Sequence, residues 1–103
     1  MRQVTAKEAH DACIQNADHV IVDVRELGES FGSAIPGAIA LPLTRFLKDW
    51  VTIKDHPHVY LICASGGRSS MAADYLASQG HPDVANIAGG VLAWEAEGLP
   101  FAD

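Results

Sequence analysis

The sequence predicts an α/β fold: a mainly parallel central sheet of about five strands, with helices on both faces. Short apolar, β-branched runs alternate with longer helix-favouring stretches along the whole chain. The clearest runs, "VIVDV" and "VYLIC", are almost continuously apolar, as strands buried on both faces must be. No internal repeat, low-complexity tract or linker interrupts the alternation, so residues 1–103 are expected to form one domain.

The elements follow in order. Thr5 precedes Glu8 by three residues, a capping-box spacing, and the alanine-rich stretch after it predicts a first helix from about Ala6 to Asn16. Val20–Val24 reads as a buried strand that ends in the charged pair Arg25 and Glu26. A proline-glycine turn at 36–37 leads to a second apolar run, Ala38–Leu41, and Leu43–Val51 reads as an amphipathic helix. After the polar connector "KDHPH", Val59–Cys63 is the most convincing strand. "SSMAADYLASQG" is the most convincing later helix, with Met71, Ala72, Tyr75 and Leu76 on one face and Gly80 as its stop. The strand "DVANI" and the helix "GGVLAWEAEG" close the chain, with Trp94 as a core anchor.

Composition narrows the function. Apolar residues make up 49% of the chain and charged residues 19%, enough to build a core and too apolar for disorder. A formal charge of -6 disfavours binding to nucleic acid or to an anionic membrane. No apolar run approaches the roughly 20 residues of a membrane span, and the N-terminal stretch lacks the apolar centre of a secretory signal. The expected location is therefore cytoplasmic. Two cysteines, Cys13 and Cys63, are too few for a disulfide framework or a four-cysteine zinc site.

Cys63 carries the chemical signal. In parallel sheets ligands bind just beyond the carboxyl ends of the strands, which is where its strand delivers it. The following "ASGGRS" must pass from strand to helix within a few residues, and Gly66 and Gly67 permit positive φ and close backbone approach. Such a loop turns successive amides inward, backed by a helix N-terminus, and so forms an anion cradle with a thiol at its floor. A free thiol of pKa about 8.5 is only about 3% ionised at pH 7. Lowering that pKa gains only a few-fold, because nucleophilicity falls as ionisation rises. Most catalysis must then come from holding an anionic substrate in line and stabilising developing charge. An isolated cysteine at a strand end is usually inert packing, and it is the adjoining Gly-Gly-Arg-Ser that argues otherwise.

"CASGGR" resembles the active-site loop of rhodanese-type sulfurtransferases. The likeness extends through "VIVDVRE", "AIPGAIALPL" and "IAGGVLAWEAEGLP", which match other signatures of that family in order and spacing. The resemblance implies that Cys63 cycles between thiolate and persulfide. The thiolate would take the outer sulfur of a small anionic donor such as thiosulfate and hold it within the amides of Ala64, Ser65, Gly66, Gly67, Arg68 and Ser69. A thiol, cyanide or a protein acceptor would then remove it, and neither metal nor organic cofactor is required. A relay or sensing module that passes sulfur to a protein partner without turnover is the alternative reading. Related cysteine-dependent phosphatases and arsenate reductases have five residues between cysteine and arginine, whereas Cys63 and Arg68 have four, so that activity is the weaker alternative. Ser33 and Ala34 stand where family members often carry Gly-His, a departure that leaves the nucleophile untouched and alters the rim of the pocket.

Other residues bear on the same site. Arg68 has two orientations open to it: into the pocket as an oxyanion clamp, or outward against an acid near Asp23 or Glu26. Ser65 and Ser69 either add hydroxyl donors or satisfy the turn and helix start, with Ser69 expected in the second role. By the family likeness, Asp23 and Arg25 brace the loop rather than react. Cys13, on the first helix, is expected to be packing rather than a resolving thiol. His10 with Cys13, and His56 with His58, lack obvious further ligands and are expected to be surface or loop residues, not a metal centre.

Overall fold

Thr5 opens the first helix as its spacing requires: its hydroxyl accepts from the Glu8 amide at 3.0 Å, and the Glu8 carboxylate accepts from the Thr5 amide at 2.9 Å. The computed structural model describes residues 1–102. Five strands, β1 (Arg2–Val4), β2 (His19–Asp23), β3 (Ile39–Ala40), β4 (His58–Ile62) and β5 (Val84–Ile87), form one sheet in the order β1-β5-β4-β2-β3. Every pairing is parallel. The four helices are α1 (Ala6–Gln15), α2 (Leu43–Asp49), α3 (Gly67–Ser78) and α4 (Gly90–Ala96).

Alternation along the strands divides the core in two. Val22, Val59, Leu61 and Cys63 face one side and pack with Phe46 of α2 and Ala72, Ala73 and Leu76 of α3. Ile21, Tyr60, Ile62, Ala85 and Ile87 face the other and pack with Ala6 and Ala9 of α1 and Val91 and Trp94 of α4. The sheet is therefore covered on both faces, as an all-parallel sheet needs. Register then sets the position of the site. Asp23 pairs with Ile62, and the Val24 amide donates to the Ile62 carbonyl at 2.9 Å, so β2 and β4 end together and Cys63 leaves the sheet beside Asp23 and Arg25.

Several expectations need correction. β1 goes unpredicted: its three residues show an exposed, exposed, buried pattern, and only pairing with β5 makes them a strand. The helix predicted over Leu43–Val51 ends at Asp49 and tightens into a 3₁₀ turn over Trp50–Thr52, while a second 3₁₀ turn occupies Leu27–Ser30. Met71 is 66% exposed, and the buried stripe of α3 runs instead through Ser69, Ala72, Ala73 and Leu76. Among the described residues, no helix is long and apolar enough to cross a membrane.

Candidate active site

Cys63 lies one residue past β4 and is 1% exposed. Its sulfur accepts from the Gly66 amide at 3.1 Å, the Ser69 amide at 3.4 Å and the Ser69 hydroxyl at 3.3 Å. Burial pushes the thiol up. The Ser69 hydroxyl and the amides of Ser69, Gly66 and Ser65 outweigh it and hold the thiol below its ordinary value. The start of α3, a twelve-residue helix, lies behind these donors and adds its positive end.

The loop curls this way because α4 takes its outward carbonyls. The Val91 amide donates to the Cys63 carbonyl at 2.9 Å, and the Leu92 amide to the Ala64 carbonyl at 3.1 Å. With those carbonyls turned away, the amides that follow face the sulfur. Gly66 has φ of 106°, a conformation that favours glycine, and a Cβ there would lie 3.3 Å from the Gly89 amide nitrogen. At Gly90 a Cβ would lie 2.3 Å from the Cys63 carbonyl oxygen. Gly67 plays neither part: its φ is not positive, a Cβ would meet nothing, and it is the first residue of α3.

Arg68 takes the outward orientation. Its guanidinium makes two bonds to the Glu29 carboxylate, at 2.6 and 2.7 Å. The pair raises the Arg68 pKa and, together with the Glu26 amide, lowers that of Glu29 to about 2. Arg25 grips both Asp23 oxygens, at 2.8 to 3.1 Å, and also reaches the Ser33 hydroxyl at 2.8 Å and carbonyl at 2.9 Å. Asp23 and Arg25 are 8% and 5% exposed, so this is a buried brace for the 26–33 segment with no guanidinium edge left to draw in an anion. Ser33, the departure from the family pattern, is thereby part of the brace.

Ser69 exceeds its expected role, since its hydroxyl bonds the sulfur as well as the helix start. Behind it stands Asn86 on β5, 3% exposed, whose Oδ1 accepts from the Ser69 hydroxyl at 2.6 Å while its Nδ2 donates to Gln3 Oε1 at 3.0 Å. Sequence reasoning missed Asn86, although a lone amide inside the apolar run "VANI" was the available signal. Glu29 and the Gly89-Gly90 contact were also missed as parts of the site, because they meet the loop only through the fold. Cys13 lies with the core on the opposite sheet face from Cys63, and burial pushes its thiol up to about 11. Both cysteines are free. His58, expected at the surface, is half-buried at the start of β4 and stacks on His19.

Residues 5–97 match the rhodanese-like domain family. Over 101 residues the chain is 31% identical to a sulfurtransferase of Allochromatium vinosum, an alignment that covers 98% of this chain and 94% of that protein. A putative sulfur carrier protein of Bacillus subtilis is 38% identical over 74 residues, 72% of this chain and 40% of that longer protein. The crystal structure of a rhodanese-like domain protein from Staphylococcus aureus superposes with a TM-score of 0.83 at 31% identity, covering all of both chains. A thiol at the end of a central parallel strand, ringed by loop amides, occurs here within that fold and that sequence pattern, and the chain belongs to the rhodanese-like domain family.

Proposed function

We propose that this protein is a single-domain sulfurtransferase that moves sulfane sulfur from a small anionic donor such as thiosulfate to a thiol or to cyanide. The observation that carries this reading is the ring of donors on Cys63 Sγ, which favours the anionic thiolate that attacks the donor and departs again when the persulfide is discharged. In the first half-reaction the Cys63 thiolate attacks the outer sulfur of thiosulfate. A Cys63–S–S⁻ bond forms, the donor S–S bond breaks, and sulfite leaves with the electron pair. In the second, the acceptor attacks the outer persulfide sulfur, and Cys63 departs as the thiolate. No general acid is needed, because sulfite is a competent anionic leaving group. With Arg68 engaged by Glu29, binding of the donor's oxyanion falls mainly to the loop amides. Free thiols suit a cytoplasmic, reducing compartment.

A protein acceptor is favoured by one further observation. Leu27 and Phe31, 74% and 94% exposed, flank Glu29 in sequence where it meets Arg68, and Leu92, 64% exposed, carries one of the two α4 amides that hold the loop. Exposed apolar side chains around a reactive loop suit a docked partner.

Intact mass after incubation with thiosulfate tests the proposal. The wild type is expected to gain one sulfur atom, lose it to cyanide and produce thiocyanate steadily, whereas Cys63→Ser gains nothing. Sulfur gain without thiocyanate turnover selects the relay. No gain, with hydrolysis of an aryl phosphate, overturns sulfur transfer altogether.

A further inference from the structure

Among the described residues each arginine is held by a carboxylate: Arg2 by Asp83, Arg25 by Asp23, Arg45 by Asp49 and Arg68 by Glu29. At the mouth of the site this matters most for Arg68. It precedes Ser69, whose amide is 3.4 Å from Cys63 Sγ, so its side chain starts beside the donors that ring the sulfur. Glu29 first, and Cys63 after it, push the Arg68 pKa up, which places the guanidinium within the electrostatic reach of the sulfur. Both members of the pair are about a third exposed, so it is the carboxylate more than packing that holds the guanidinium outward.

Glu29 is itself fixed. One of its carboxylate oxygens also accepts from the Glu26 amide at 2.7 Å, and its carbonyl accepts from Arg25 Nη1 at 3.4 Å while Asp23 holds Arg25 from the other side. The clasp thus ends a chain of contacts that runs from Asp23, at the end of β2, through Arg25 and Glu29 to Arg68. What remains on the sulfur is neutral: the amides of Gly66 and Ser69 and the Ser69 hydroxyl. Such dipoles suit a single negative charge. A dianion brings two more to the thiolate, and a guanidinium is the group that best matches its oxygens. One fork cannot serve Glu29 and a donor at once.

Building on the sulfur-transfer reading, we propose that Glu29 is a specificity-determining residue: by clasping Arg68 outward it withholds the loop's guanidinium, and so tunes the site toward sulfane donors of one negative charge and against dianions. Two donors of like chemistry and unlike charge expose the difference. Thiosulfate carries two negative charges, and methanethiosulfonate, CH3–SO2–S⁻, carries one. With either, the Cys63 thiolate attacks the terminal sulfur, Cys63–S–S⁻ forms and the donor S–S bond breaks. Its electron pair leaves on sulfite in the first case and on methanesulfinate in the second.

Thiocyanate production from each donor, with cyanide as acceptor and the uncatalysed reaction subtracted, tests this in the wild type and in Glu29→Gln. The ratio of kcat/KM for thiosulfate to kcat/KM for methanethiosulfonate should rise about fivefold in the variant, the scale of one partly exposed ion pair. The change should lie in KM for thiosulfate, because a freed Arg68 binds the donor before and during the reaction alike. Adding Arg68→Gln to Glu29→Gln should take the gain away. A ratio unmoved by Glu29→Gln overturns the proposal, and so does one that rises equally in the double variant, since Glu29 would then act through its own charge. If Glu29→Gln does not fold, Glu29→Asp, whose shorter arm slackens the clasp and keeps the charge, must show the rise. Intact mass separates this inference from the reading beneath it. If neither donor loads sulfur on Cys63, both fall; if both donors load it at a ratio indifferent to Glu29, the inference alone falls.

Discussion

Ser69 has one hydroxyl proton and three acceptors within reach: Asn86 Oδ1 at 2.6 Å, Cys63 Sγ at 3.3 Å and the Gly66 carbonyl at 3.3 Å. While Cys63 is a thiol, its own S–H can donate to Ser69 and the Ser69 proton stays on Asn86. Once the sulfur is ionised, it competes with Asn86 for that proton. Ser69→Ala removes the hydroxyl and leaves the amides in place. A hydrogen bond to a charged group is worth roughly 1.5–3 kcal/mol, so alkylation of Cys63 at neutral pH should slow by about tenfold and its pH profile should move upward. Asn86→Asp should shift the profile the same way, because a carboxylate holds the proton more strongly and sets a second negative charge near the thiolate. A profile unmoved by both variants would mean that the amides alone ionise the sulfur. Ser69 was visible in the sequence as a helix-start residue, but its bond to sulfur depends on the coil of the loop. The part played by Asn86 depends on which strand lies beside β4, and local pattern does not carry that.

The strand, loop and first turn of helix over residues 59–78 were legible because their logic is local: an apolar run, a glycine-rich turn and an alanine-rich helix. What shapes the loop was not. Gly66 was expected to adopt positive φ and does, yet the second glycine that the loop needs is not its neighbour Gly67 but Gly90, some 24 residues on, which packs against the Cys63 carbonyl. The two substitutions should therefore part company. Gly90→Ala sets a methyl 2.3 Å from the Cys63 carbonyl oxygen, against backbone that has no rotamer to yield, and at φ of 56°. Thermal or urea unfolding should show a loss of about 2–4 kcal/mol, combining overpacking with backbone strain. Sulfur transfer should fall with it, since the carbonyl that α4 displaces is the one that aims the loop. Gly67→Ala should be neutral or stabilising by up to about 1 kcal/mol, because the position is helical, open and costly to order as glycine. A Gly90→Ala chain as stable as the wild type would show that α4 does not hold the loop.

At the scale of the whole molecule, strand order decides what meets what. The order β1-β5-β4-β2-β3 was not readable from periodicity, since a short polar edge strand is identified only by the sheet it joins. That order sets the start of α3 against the 26–33 segment, where Arg68 and Glu29 clasp across 39 positions of sequence. This clasp gives the fold a definite response to acid. Glu29 has its pKa lowered to about 2 by Arg68 and the Glu26 amide, below the ordinary value of 4.5. A carboxylate whose pKa falls on folding stabilises the folded state in full above its ordinary value, and that contribution is lost as the pH drops toward the folded one. The loss from this pair therefore lies between pH 4.5 and about 2. Both side chains are about a third exposed, so solvent screens the pair and its net worth at neutral pH stays within about 1 kcal/mol. Glu29→Gln should accordingly cost little at pH 7 and should reduce the slope of stability against pH below 4.5, where the wild type gives up a charge pair that the variant never had. Urea unfolding at a series of pH values checks this. Parallel stability curves for the two proteins through the acid range would show that the clasp contributes nothing and that other carboxylates, Asp83 with its partners His58 and Arg2 among them, govern the acid response.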